Sequence, residues 1–253
     1  MARPTPGVEA VRVVHRDAHL LVLIKPPHLP TTAPDEGPCL VKLARELDPE
    51  APRLHPSSRL DAEVTGVVTF ARTRRATKAL LEARKAGLYR RLYLGLASPG
   101  PTPDAGRWDA SIALDPRDPR RRRAGDGEGA RQAATRFEVA ERRPLVEGEL
   151  ALLRLFPETG RTHQLRVHAA AASAPLFGDA PYGGPKRLTL ASGRVVSARR
   201  VMLHCAEVRV PRIAGDGEHL FRARVPADFE KAWAAAGGTP IAELSAAAAD
   251  ERR

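Results

Sequence analysis

The sequence predicts an α+β protein. Apolar, β-branched runs of strand length outnumber the helical segments, and the two do not alternate as they would in a parallel βαβ chain. The 253 residues, 43% of them hydrophobic, suffice for a full core in one large domain or two small ones. No repeat recurs at a fixed period.

Order begins near Val11, and Leu20-Leu21-Val22-Leu23-Ile24, closed by Lys25-Pro26-Pro27, reads as a buried strand. Residues 33–38 read as a loop, and 40–47 have helical spacing. Residues 64–71 form a second β-branched run, followed by a helix over 75–86 that Gly87 stops. Residues 89–97 alternate, with Tyr89, Arg91 and Tyr93 on one face and Leu92, Leu94 and Leu96 on the other. One side of that strand is expected to be core, while the other presents an aromatic and a cation. Further strands are expected at 150–156, 201–210 and 220–225. Pro226 suits the first turn of a closing helix, with Phe229 and Trp233 paired at i and i+4. Residues 1–10 read as an extension, 11–236 as one catalytic domain and 237–253 as an Ala-rich, flexible tail. The one composition break, 115–132, holds Arg117, Arg120, Arg121, Arg122 and Arg123 beside glycines and reads as a long basic loop. Those arginines are equally suited to solvent and to phosphate contact.

The formal net charge of +11 favours polyanionic partners, because each neutralised phosphate releases condensed counterions. No apolar stretch is long enough to cross a bilayer, and the first residues lack the apolar core of a signal peptide. The two cysteines, Cys39 and Cys205, lie far apart and outside metal-ligand spacing, which fits a reducing, cytoplasmic setting.

Two segments carry chemistry. In Leu54-His55-Pro56-Ser57-Ser58-Arg59-Leu60-Asp61-Ala62-Glu63-Val64-Thr65-Gly66, an aspartate stands between a basic residue and a strand, with a glycine five residues on. Alone, such an aspartate reads as a turn residue. In Pro157-Glu158-Thr159-Gly160-Arg161-Thr162-His163-Gln164-Leu165-Arg166-Val167-His168, a turn enters a helix. His163 and Arg166, three apart, are expected to share a helical face and reach one cleft. His163 and His168 are five apart, off the spacing of a helical zinc pair, so no metal site is expected.

Together these segments resemble the RluA-type RNA pseudouridine synthases, which show H-R-L-D-x-x-T-S-G around a catalytic aspartate and, later, T-G-R-x-H-Q-[IL]-R-V-H. Further matches fall in order: 22–27, Arg91-Leu92-Tyr93, Ala134-Thr135-Arg136-Phe137, Gly178-Asp179-Ala180-Pro181-Tyr182-Gly183 and Leu203-His204-Cys205. The departures are Ser58 for the usual histidine, Val64-Thr65-Gly66 for T-S-G, and Arg91 for a common lysine. They bear on substrate choice and rate rather than on reaction class.

The resemblance implies a mixed, mostly antiparallel central sheet with flanking helices and a basic active-site cleft. It also implies isomerisation of uridine in ribosomal or transfer RNA by a monomer needing neither metal nor cofactor. It assigns Asp61 as nucleophile, Arg166 as the cation paired with it, and Tyr93 as the aromatic that stacks on the base. Arg59, Arg161, His163, Gln164 and Leu203 are then substrate-binding, although His163 also suits local ordering of the motif and Leu203 suits the core. Two rivals remain: an inert RNA-binding protein on the same fold, and an unrelated hydrolase using Asp61 and His163.

Overall fold

The computed structural model describes residues 6–33 and 37–242. In chain order the elements are β1 (Arg12–Arg16), β2 (Leu20–Lys25), α1 (Leu40–Leu47), β3 (His55–Pro56), β4 (Thr65–Ala71) and α2 (Arg74–Lys85). There follow β5 (Arg90–Ala97), β6 (Ala105–Trp108), β7 (Ile112–Asp115), β8 (Asp118–Ala124), β9 (Thr135–Pro144) and β10 (Glu149–Pro157). The chain ends with α3 (Gln164–Ala171), β11 (Arg187–Thr189), β12 (Val195–Ser197), β13 (Leu203–Pro211), β14 (Glu218–Arg222) and α4 (Ala227–Ala235). Residues 1–5, 34–36 and 243–253, with the parts of the expected extension, loop and tail that fall there, lie outside the described residues. Among the described residues, no helix is long and apolar enough to cross a membrane.

The chain forms two compact units, Met1–Leu92 with His204–Arg224 and Tyr93–Leu203 with Val225–Arg253. The span expected as one catalytic domain therefore passes between units three times.

In the first unit the strand order is β1-β2-β4-β13, with β14 on β13 and β3 on β4. Every pair is antiparallel except β4 with β13. β2 and β4 are apolar on both faces because both faces are covered, and all seven residues of β4 are buried. The parallel ladder sets Gly66 opposite Cys205. Gly66 has φ +120, and a Cβ there would overlap the Cys205 carbonyl, so glycine is required on both counts. α2 begins with the Thr73 hydroxyl accepting from Ala76 N at 3.1 Å. It ends with Gly87 at φ +72, where Leu88 N donates to Ala83 O and Gly87 N to Arg84 O.

In the second unit the order is β5-β10-β9-β6, antiparallel throughout, with the hairpins β7–β8 and β11–β12 beside it. α4 buries Phe229 and Trp233 completely or nearly so, as their i, i+4 spacing predicts.

Three expectations need correction. The basic segment is not a loop throughout, because Arg120, Arg121, Arg122 and Arg123 lie on β8, paired with β7, and Arg117 stands in the turn between the two strands. Asp115 accepts from Arg117 N and Pro116 occupies the turn, which closes the hairpin without any apolar alternation. Residues 237–242 are not frayed, since Trp233 Nε1 donates to Thr239 O, Glu141 accepts from Thr239 N, and Ile241 is buried. The face expected to present an aromatic and a cation is covered, for Tyr89, just before β5, and Arg91 and Tyr93 on it are all buried.

Candidate functional site

Asp61 and Arg59 lie in the first unit, and the other expected site residues lie in the second. Asp61 is half-buried at the start of a turn closed by Val64 N donating to its own carbonyl at 3.1 Å. Its two neighbours are clamped. The Thr31 hydroxyl donates to Leu60 O and accepts from Leu60 N, both at 2.9 Å. Lys25, fully buried, donates its ammonium to Ala62 O at 3.0 Å, Leu29 O at 2.7 Å and Pro26 O at 2.9 Å. A buried ammonium is costly unless hydrogen-bonded, and three carbonyls supply that compensation. The backbone that carries the carboxylate is thus fixed on both sides. Arg59 is exposed.

The departures from the family pattern have structural consequences here. Ser58 is buried, and the Tyr89 hydroxyl donates to it at 3.2 Å while lying 2.6 Å from Thr69 Oγ1. Thr65 is also buried, its hydroxyl 2.8 Å from His204 Nδ1, with His204 Nε2 on Ala223 O. Ser58 is thus committed to Tyr89 and Thr65 to His204.

In the second unit, α3 begins at Gln164 rather than His163. His163 is the N-cap and sits at φ +57, in the left-handed region, so it does not share a helical face with Arg166 as expected. Its Nδ1 is 2.6 Å from the Tyr182 hydroxyl, which orders the motif locally. Gln164, expected to contact substrate, is buried and engaged at both ends of its amide. Oε1 accepts from Thr159 Oγ1 and Arg161 N, and Nε2 donates to Ala134 O and Thr135 Oγ1. It knits the turn to β9. Arg161 is exposed and donates from Nε to Gln132 O at 3.0 Å.

Arg166 is buried and forks onto Asp179, with Nε to Oδ2 at 2.8 Å and Nη2 to Oδ1 at 2.7 Å. Its guanidinium carbon lies 4.7 Å from the Tyr182 ring centroid. Asp179 and Tyr182 stand in the Gly178–Gly183 match, yet sequence reasoning gave them no role. An acid and an aromatic three residues apart in a glycine-bounded turn were the available signal.

Tyr93 is buried on β5, opposite Leu155 of β10. Gly95 shares its face, and a Cβ there would meet Leu176, Leu155 and Leu203 at 3.2, 3.4 and 3.6 Å. Leu203 therefore belongs to an aliphatic cluster flanking the Tyr93 face of the strand. His168 Nε2 lies 2.9 Å from Ala110 O and Nδ1 3.0 Å from Thr135 Oγ1; burial holds its pKa below the usual histidine value, despite the raising effects of Ala110 O and Asp109. The one grouping of potential metal ligands among the described residues lies elsewhere, at His15, Asp17 and His219. There the Asp17 carboxylate already accepts from His19 N and Leu20 N and pairs with His15.

The fold is that of a pseudouridine synthase: a solved structure of the human RNA pseudouridylate synthase domain-containing protein 1 aligns over 94% of this chain and 99% of its own, with TM-score 0.67 and 22% identity. A family model described as RNA pseudouridylate synthase matches residues 19–171, and the chain belongs to that family, on its RluA-type branch. A dual-specificity RNA pseudouridine synthase RluA of Vibrio vulnificus is 30% identical over 201 residues, 78% of this chain and 76% of that protein. The chloroplastic RNA pseudouridine synthase 2 of Oryza sativa subsp. japonica is 38% identical over 150 residues, 58% of this chain but only 33% of its own length.

Proposed function

We propose that this chain isomerises uridine to pseudouridine within structured ribosomal or transfer RNA, with Asp61 as nucleophile. The observation that carries this is the double clamp on Leu60 and Ala62, which fixes the backbone on both sides of Asp61. Preorganisation of that kind is what a covalent or electrostatic step at ribose C1′ needs. The bond from C1′ to N1 breaks, the uracil turns over, a bond from C1′ to C5 forms, and the C5 proton is lost as N1 gains one. Nothing is oxidised and the net composition of the RNA is unchanged, the C5 hydrogen passing to solvent as N1 takes one up, so the step calls for no redox cofactor.

Arg166 supplies the cation for Asp61 in this reading, oriented by Asp179. Tyr93 stacks on the base, with Leu203 beside it. Arg59 and Arg161, both exposed, meet the RNA backbone, while His163 and Gln164 act by ordering the motif. The net charge of +11 suits such a partner, and the enzyme works as a cytoplasmic monomer. The target nucleotide leaves its stack at a cost of about a few kcal/mol, which favours irregular RNA.

Tritium release from C5-labelled uridine RNA tests the reading. Release by the parent chain and its loss in Asp61→Asn, with RNA affinity retained, is the expected result. RNA binding without release by the parent would make it an inert binder, and full release by Asp61→Asn would remove Asp61 from the chemistry.

A further inference from the structure

Tyr182 has more tasks than a packing aromatic needs. Its ring faces the Arg166 guanidinium at 4.7 Å and the Arg121 guanidinium at 5.3 Å. Its hydroxyl lies 2.6 Å from His163 Nδ1 and accepts from Arg122 N at 3.0 Å. Arg121 and Arg122 are neighbours on β8, so one side chain touches the basic hairpin at its backbone and at a side chain, and also touches the arginine of α3. The hairpin is seated there by a small apolar cluster in which Ile112, Ala133, Val167 and Tyr182 pack with Ala124 and Ala170. Tyr182 itself is held by its N–H on Asp179 O at 2.9 Å, so the carboxylate that forks Arg166 and the ring that supports it belong to one short turn.

We infer that Tyr182 is a positioning residue that sets Arg166 and ties it to the β7–β8 hairpin, so that RNA seated on the hairpin fixes the arginine in its working orientation. The inference rests on the reading of Arg166 as the cation of a pseudouridine synthase. Phenylalanine would fill the same space and support the same guanidinium. Only tyrosine joins the hairpin backbone to His163, and removing the hydroxyl leaves the Arg122 N–H without that acceptor. The ring and hydroxyl contributions are therefore separable.

The test compares the parent chain, Tyr182→Phe, Tyr182→Leu and Arg121→Ala under single-turnover conditions, with enzyme in saturating excess over RNA. The rate constant and the RNA Kd are measured separately. Tyr182→Phe is expected to slow the step about tenfold and Tyr182→Leu about a hundredfold, with Kd changed less than about twofold. Arg121→Ala should also lower the rate at saturating enzyme, which a merely solvated arginine would not do. A second readout does not depend on activity. The Arg166 Nε–H resonance, assigned by its loss in Arg166→Lys, should shift in Tyr182→Phe, and should shift in the parent when RNA is added. Unchanged rates and an unchanged resonance in Tyr182→Phe would overturn the inference, as would a loss confined to Kd. If the parent itself fails to isomerise uridine, the functional reading fails and the resonance alone decides the positioning role. Should Tyr182→Leu not fold, Tyr182→Phe carries the test.

Discussion

The ammonium of Lys25 donates to the carbonyl of Ala62 at 3.0 Å, one residue beyond Asp61, while the lysine itself is fully buried. A side chain at the end of β2 thereby fixes the turn that carries the candidate nucleophile. Lys25→Met fills the space but leaves three carbonyls without their shared donor. We expect a loss of about 2–4 kcal/mol of stability and a larger fractional loss of rate than of RNA affinity. Urea unfolding beside single-turnover kinetics checks both. A variant as stable and as fast as the parent would show that the clamp is dispensable.

The elements that were legible in the sequence are those whose burial is written as hydropathy. β2, α1, β4, α2 and β10 fall within a residue or two of expectation, the strands as short apolar runs and the helices as apolar residues at helical spacing. β8 was illegible because four arginines and a proline carry no alternation; its pairing comes from the turn at Asp115 and the backbone of β7. The left-handed backbone of His163 hid behind a helical spacing. Of the site, the motif residues could be named, but not their partners. Arg166 and Asp179 are 13 residues apart, and hydropathy does not mark a buried lysine or a buried ion pair.

Asp179→Asn removes the charge from a pair whose two side chains are 9% and 1% exposed. Leaving a buried cation half-satisfied costs about 3–5 kcal/mol in comparable pairs. The midpoint of thermal unfolding should fall, and the rate should fall further than the RNA Kd rises. Arg166→Met discriminates the catalytic part. Its single-turnover rate should fall well below the parent's while the RNA Kd changes little. A parent-like rate in Arg166→Met would shift the role to Arg161 or Arg59.

His168 makes stability depend on pH. Burial lowers its folded-state pKa below the ordinary histidine value, outweighing the raising effects of Ala110 O and Asp109. The unfolded chain therefore takes up this proton first as the pH falls. The stabilisation is fully present above the unfolded value of about 6.5 and is lost as the pH falls towards the folded one. Unfolding midpoints measured from pH 7.5 to 5 should decline. His168→Gln, which can keep a donor and an acceptor, should flatten that decline, whereas an identical slope would assign it to other groups, among them His219, whose pKa burial also lowers.

The hairpin arginines separate into two groups that the sequence could not distinguish. Arg117, Arg120 and Arg123 are exposed, whereas Arg121 and Arg122 are half-buried. Arg121 lies against Tyr182, and Arg122 bonds back to Pro119 O and Arg121 O. Arg120 is already forked to Asp118 at 3.0 Å from both Nε and Nη2, so it has less charge to offer a phosphate. Arg117 and Arg123 are then the principal candidates for tracking RNA phosphates without reading bases. Replacing Arg117, Arg120 and Arg123 with serine should weaken binding at low salt and flatten the dependence of log K on log salt. Each lost phosphate contact should reduce that slope by about 0.7 to 0.9. The forked Arg120 should count for less than a full contact, so the triple variant should lose fewer than three such increments. The hairpin should survive, because its backbone pairing to β7 and its turn at Asp115 do not involve these side chains. A salt titration of affinity for parent and variant on one RNA decides the matter. Parallel lines with equal intercepts would mean that these arginines face only solvent, and that the RNA footprint lies elsewhere on the basic surface.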